Sequence, residues 1–187
     1  IKVTVEKGKY LRISRKWSNG DLVNLNFPKS LSLKTWEKNH NSVSLNYGPL
    51  TFSLKIKENY VNKRSDKSAI WDSKWQKDVD TYNWPTYEIY PGSPWNYGLI
   101  LNDDLNEAFE VVEKEWPKDN FPFTNESSPI YIKARAKKIE SWKIGETKLV
   151  GELMDSPVES NEKEEIIELV PMGASRLRIS SFHVIKN

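Results

Sequence analysis

A chain of 187 residues with 28 Lys and Arg against 26 Asp and Glu carries a net charge of only +2, mixed in sign along its length, so it offers no basic patch for nucleic acid. It has no Cys, which excludes disulfides, thiolate zinc sites and a cysteine nucleophile together and decides nothing about compartment. No apolar run reaches membrane-spanning length, and the eight Trp are the one compositional oddity, pointing toward carbohydrate or toward aromatic-lined interfaces.

The first third reads as strands. Val3 and Val5 alternate within Lys2 to Glu6, and Leu11 and Ile13 repeat the pattern within Tyr10 to Ser14. Asn19-Gly20 is a reverse-turn dipeptide and leads into Val23, Leu25 and Phe27, alternating with Asn24 and Asn26, which is a hairpin signal. After Pro28, Leu31 and Leu33 alternate with polar neighbours, and Val43, Leu45 and Tyr47 alternate with Ser42, Ser44 and Asn46. Beyond the Gly48-Pro49 turn, Leu50, Phe52, Leu54 and Ile56 form the cleanest inward series against Thr51, Ser53, Lys55 and Lys57. Short alternating strands at this spacing predict an antiparallel sandwich.

From Glu58 to Pro85 the periodicity is lost. Trp71 and Trp75 stand four apart, which places them on one face of a short helix if Ser68 to Lys77 forms one. A connection this long either contributes function or marks a boundary. The stretch from Tyr87 to Leu101 then gathers Tyr90, Pro91, Gly92, Pro94, Trp95, Asn96 and Tyr97, and its two prolines and glycine require a shaped turn over Tyr90 to Trp95. Such a turn either plugs an interface or presents a stacking surface. Asp103 to Trp116 has helical spacing with Asp103 as a cap, yet Phe109 to Val112 also suits a strand. A Pro- and Asn-rich loop over Pro117 to Pro129 precedes a strand in which Ile130, Ile132, Ala134 and Ala136 alternate with Tyr131, Lys133, Arg135 and Lys137. The acidic run Glu159 to Glu165 reads as a solvated loop leading into Ile166 to Val170, and strands over Leu177 to Ile179 and Phe182 to Ile185 close the chain after the Pro171-Met172-Gly173 turn.

Several pieces carry a resemblance when taken in order. Tyr10-Leu11-Arg12-Ile13 with Trp17 and Gly20-Asp21 comes first, then Tyr47-Gly48-Pro49-Leu50, then Glu88-Ile89-Tyr90-Pro91 with Ser93-Pro94-Trp95-Asn96-Tyr97. Leu169-Val170-Pro171-Met172-Gly173 with Leu177-Arg178-Ile179-Ser180 completes the series. Together they resemble the C-terminal β-sandwich region of the beta-L-arabinofuranosidase-like glycoside hydrolases, glycoside hydrolase family 127 and its uncharacterised relatives, across nearly the whole chain. The resemblance implies an upstream (α/α)6 barrel that holds the catalytic carboxylate, cysteine nucleophile and zinc ligands of such enzymes. None of those residues can be matched to this chain. The resemblance also favours a strand over Phe109 to Glu113.

Paired carboxylates can hydrolyse glycosides across a cleft, and Asp103 with Asp104, or Glu88 with a distant acid, are the candidates. The adjacent aspartates suit a turn or cap better. His40, between two Asn, and His183, in the last strand, have no motif spacing to a nucleophile or metal ligand. The expectation is therefore an all-β antiparallel sandwich, jelly-roll-like or Ig-like, with one long irregular connection that holds at most a short helix. Residues 1–187 are expected to form an accessory region of a larger protein, with any sub-boundary inside 58–85. Its expected partner is the parent's catalytic barrel, with no catalytic residue, cofactor or metal site of its own and neither nucleic acid nor membrane as partner. The alternatives are a carbohydrate-binding module for an oligosaccharide or polysaccharide and, behind it, an independent glycosidase. Trp84, Tyr90, Trp95, Asn96 and Tyr97 are the candidate interdomain or carbohydrate contacts; the compartment stays open, with a secreted or periplasmic parent as one reading.

Overall fold

The computed structural model describes residues 6–63, 83, 85–146 and 149–186, and within them the chain is almost entirely β. Strands β1 (Leu31–Trp36), β2 (Ser42–Tyr47) and β3 (Leu50–Leu54) form an antiparallel meander. Gly48, at φ 55°, gives the two-residue turn between β2 and β3 its left-handed residue, and Pro49 supplies the fixed negative φ beside it. Strand β9 (Glu164–Pro171) pairs with β3 on one side and with β8 (Ile130–Lys138) on the other. The far edge of β8 carries β7 (Phe109–Glu113) along its first half and β6 (Tyr97–Leu99) along its end. The two-residue strand β10 (His183–Val184) runs parallel to β6, while the other pairings between strands of the described residues are antiparallel; an isolated parallel bridge joins Val158 to Ile185.

The sheet curls until its ends meet. Val43 and Phe182 exchange backbone hydrogen bonds at 2.8 Å each way, so the segment before β10 returns to β2. It fits there because β2 and β3 pair only at their turn and splay beyond it. Residues 179–182 fill the gap: Leu54 N–H donates to Ile179 O at 2.8 Å, Ser44 Oγ donates to Ser180 O at 2.7 Å, and Ser42 and Ser53 bond to Ser181 and Ser180. The serine face of β2 is therefore buried, and its hydroxyls are satisfied by the returning segment. The result is a sandwich-like fold with Leu45, Phe52, Leu99, Ile132, Leu169 and Phe182 at the centre of its main core. A smaller cluster of Ile100, Ile139, Trp142 and Ile185 lies beside it, reached by Trp95.

The alternation read in β8 corresponds to its buried face, and Phe52 and Leu54 of β3 are inward as expected; Leu50, expected inward, is exposed beside the turn, and Ser53, expected outward, is buried because Ser180 of the returning segment covers it. Ile130, Ile132, Ala134 and Ala136 are inward, and the outward residues join cross-strand ion pairs, Lys133 with Glu110 at 3.0 Å and Arg135 with Glu164 at 2.6 Å. Phe109–Glu113 is a strand, preceded by the one-turn helix α1 (Leu105–Ala108), whose N-cap is Asp104 rather than Asp103; Asp104 Oδ1 accepts from Asn106 N–H at 2.8 Å.

Four expectations need correction. Residues 10–14 and 23–27 form no strand: among the described residues no neighbouring strand offers them a ladder, and Tyr10, Leu22, Leu25 and Phe27 stand exposed. The Asn19-Gly20 turn between them does form, with Gly20 at φ 90° and Asp21 N–H donating to Ser18 O at 3.2 Å. The lost periodicity after Glu58 hides strand β4 (Glu58–Lys63), which pairs antiparallel with β5 (Thr86–Pro91) as a separate ribbon. Pro91, which lacks an N–H, can end β5 because among the described residues the ribbon has no third strand there to need one. Residues 177–179 form no strand, and β9 begins at Glu164, inside the acidic run, because Glu164 and Glu165 meet Arg135 and Lys138 across the strand pair. The expected Lys2 to Glu6 strand falls almost wholly, and the Ser68 to Lys77 helix wholly, outside the described residues.

Candidate functional site

The ribbon leads into the aromatic turn. Gly92 N–H donates to Lys57 O at 2.6 Å and Ser93 Oγ accepts from Lys57 N–H at 2.9 Å, which pins the start of the turn to the residues before β4. Its end is pinned to the sheet: Asn96 O accepts from Ile139 N–H and Asn96 Nδ2 donates to Ile139 O, both at 2.8 Å. Gly98 follows in β6, where a Cβ would lie 2.6 Å from Ile185 Cδ1 and 3.0 Å from Ile139 Cδ1, so a larger residue would force these two side chains to shift.

Between these anchors the predicted residues separate. Tyr97 is buried, and its hydroxyl donates to Glu165 Oε2 at 2.8 Å. Burial and that hydrogen bond push the Tyr97 pKa far above its ordinary value, while Lys138 and Tyr97 together hold Glu165 below the usual carboxylate range. Trp95 is partly buried, with its ring edge to face against Trp142 at 5.1 Å. Trp142 in turn meets His183 at 4.7 Å, forming a row of three rings behind the turn. Tyr90 stands on the exposed side of β5, where its hydroxyl donates to Glu88, and this bond raises the Tyr90 pKa. Asn96 is a structural clamp. Trp84 lies outside the described residues.

Trp95, Tyr90, Pro91 and Ile89 form one wall of a groove of about 580 Å³. Ile144, Leu149 and Val150 face them from the connection after β8, and Leu177 and Ile179 lie along it. Ile144, Leu149 and Val150 are all exposed, so the groove is an apolar surface with its Trp held in place from behind.

The acids and histidines weighed for catalysis are dispersed. Asp104 caps α1, and Glu88 bonds Tyr90 and lies 3.5 Å from Lys63. His40, at φ 57°, pairs with Asp155 at 2.8 Å, while Met154 N–H donates to His183 Nε2 at 2.9 Å. The two histidines thus fasten one segment of the connection before β9. His183 is wholly buried; burial, with nearby His40, pushes its pKa down to about 4, and Nδ1 has no hydrogen-bond partner. That burial left no trace in the sequence, since a polar residue in a two-residue strand carries no periodicity. No group of three or more His, Asp or Glu side chains suited to a metal occurs among the described residues. Comparison with protein-family models, with curated proteins and with solved structures finds no match.

Proposed function

We propose that this chain is a non-catalytic β-sandwich region that packs against a larger catalytic region of its parent protein, in keeping with its resemblance to the sandwich of beta-L-arabinofuranosidase-like glycoside hydrolases. The observation that supports this reading is the apolar groove along the aromatic turn. Trp95 is seated against Trp142 instead of standing free, and the opposite wall offers Ile144, Leu149 and Val150, an arrangement suited to receiving apolar side chains. The ordered turn lowers the entropic cost of docking, since its backbone is already held at both ends.

The test is association between this chain and the separately produced barrel region encoded with it. We expect saturable binding, weakened at least tenfold by Leu149→Asp and Val150→Asp, and no turnover of aryl arabinofuranosides or galactosides by this chain alone. A gene that encodes no barrel, binding indifferent to both variants, or turnover abolished by changing one Asp or Glu of this chain contradicts the proposal.

A further inference from the structure

A second concavity shares Ile56 with the docking groove and is otherwise lined by different residues. It measures about 590 Å³, within the range of ligand-binding clefts, and is walled by β4, by Ser93 of the aromatic turn, by residues 124–126 and by Arg176. Its floor is built by buried polar groups: Asn125 Nδ2 donates to Ile56 O at 3.0 Å, and Ser175 Oγ donates to Asn125 Oδ1 at 2.7 Å, tying three segments together.

Three cations, Lys55, Lys57 and Arg176, line the cleft against three anions, Glu58, Glu126 and Glu168, so their charges cancel. Lys55 pairs with Glu168 at 2.7 Å. Glu58 is held by four contacts: Tyr60 Oη donates at 2.5 Å, the Arg176 and Leu177 amides at 2.9 and 3.4 Å, and the Arg176 guanidinium lies 3.9 Å away. Burial pushes the Glu58 carboxyl up, but these partners outweigh it and leave it below its ordinary range, so it stays a fixed acceptor. A phosphate or polyanion would meet as much repulsion as attraction here, and an apolar segment would strand the polar groups.

A neutral ligand that both donates and accepts would fit. Arg176 spends Nη1 on Tyr60 Oη at 2.9 Å and keeps further N–H donors, while Ser93 Oγ accepts from Lys57 and keeps its own hydrogen. An aromatic face completes the set. Tyr60 is 47% exposed, and its ring is held by Tyr87, edge to face at 6.1 Å, and by the Arg176 guanidinium, which lies over one face at 5.8 Å. The loop supplying Thr124 to Glu126 presents exposed Phe121 and Phe123 just before them, their rings 5.5 Å apart. Fixed hydrogen-bonding groups of both kinds, no net charge and a preorganised ring match the hydroxyls and C–H faces of a sugar.

We infer that this cleft is a binding site for a neutral oligosaccharide or polysaccharide, separate from the docking groove. The test is native affinity electrophoresis of the full chain in gels containing arabinan, arabinogalactan, xyloglucan or mixed-linkage β-glucan, with polygalacturonate and heparin as anionic comparisons. Retardation by at least one neutral polymer is expected, weakened about tenfold by Tyr60→Ala and by Arg176→Gln and unchanged by Leu149→Asp. Both cleft side chains are largely exposed, and their variants should melt within about 3 °C of the parent, as expected for surface substitutions. No retardation by any neutral polymer, retardation by the anionic polymers alone, persistence in both cleft variants, or loss in Leu149→Asp instead overturns the inference.

Discussion

Trp142 links the aromatic turn to the last strand, and Trp142→Ala is the perturbation that separates a structural role of the three-ring row from a decorative one. Trp142 is 3% exposed, and its Nε1–H donates to Gly151 O at 2.9 Å. A buried Trp removes up to about 250 Å² from water, which at about 25 cal/mol/Å² is roughly 6 kcal/mol. The real unfolded chain already hides part of that area, which lowers the figure to about 4 to 5 kcal/mol. That agrees with the ~3 to 5 kcal/mol expected for emptying a buried Trp site. At ~2 to 4 °C per kcal/mol for a chain of this size, the unfolding midpoint should fall by about 10 to 20 °C. Trp142→Phe keeps most of the apolar volume and leaves Gly151 O without its donor, so it should cost only about 1 to 3 kcal/mol. Urea denaturation followed by far-UV circular dichroism measures both. A loss below about 1 kcal/mol for the alanine variant, or equal losses for the two variants, would refute the packing argument.

Stability should fall as pH drops from about 6.5 toward 4. His183 has its folded pKa pushed down to about 4, so in that interval the unfolded chain binds more protons than the folded one. The carboxylates held low by their partners, Glu58, Glu159, Glu164 and Glu165, lose their contribution only below their ordinary range. A urea midpoint that is flat between pH 6.5 and 5, or equally steep in His183→Gln, would contradict the assignment to His183. Tyr97→Phe removes the donor to Glu165, which keeps Lys138 at 2.8 Å, and should cost about 1 to 2 kcal/mol in the same urea assay. Ser44→Ala strips the acceptor of Trp36 Nε1–H and the donor to Ser180 O, loosening the returning strand at a cost of about 2 kcal/mol; amide exchange at Phe182 and Val43 should accelerate with it.

Strands were legible where one face met the core. Phe52 and Leu54 in β3, and the four small or branched residues of β8, are inward because a buried face imprints a period of two. The same rule misled for residues 10–14 and 23–27, since alternation records a capacity to pair and no strand among the described residues pairs with them. It was silent for β4, whose ribbon buries little on either side, so Glu58, Asn59, Asn62 and Lys63 carry no pattern. At the site, the concentration of Pro, Gly and aromatics correctly marked a shaped turn, with its bend starting after Pro91. What the sequence left open was the division of labour: Tyr97 points to Glu165, Trp95 lies against Trp142, and Asn96 clamps Ile139, outcomes fixed by partners 40 or more residues away. The polar cleft was wholly hidden, because Glu58, Asn125, Ser175 and Arg176 come together only through the fold.

The central claim is that the groove along the aromatic turn is covered by another region of the parent protein. Amide hydrogen exchange of this chain alone and within the full-length protein tests it most directly. The account predicts slower exchange in the full-length protein at residues 88–96 and 144–150, with no change along β8, which is already sealed within the sheet. Identical exchange at 88–96 and 144–150 in the two samples would contradict it.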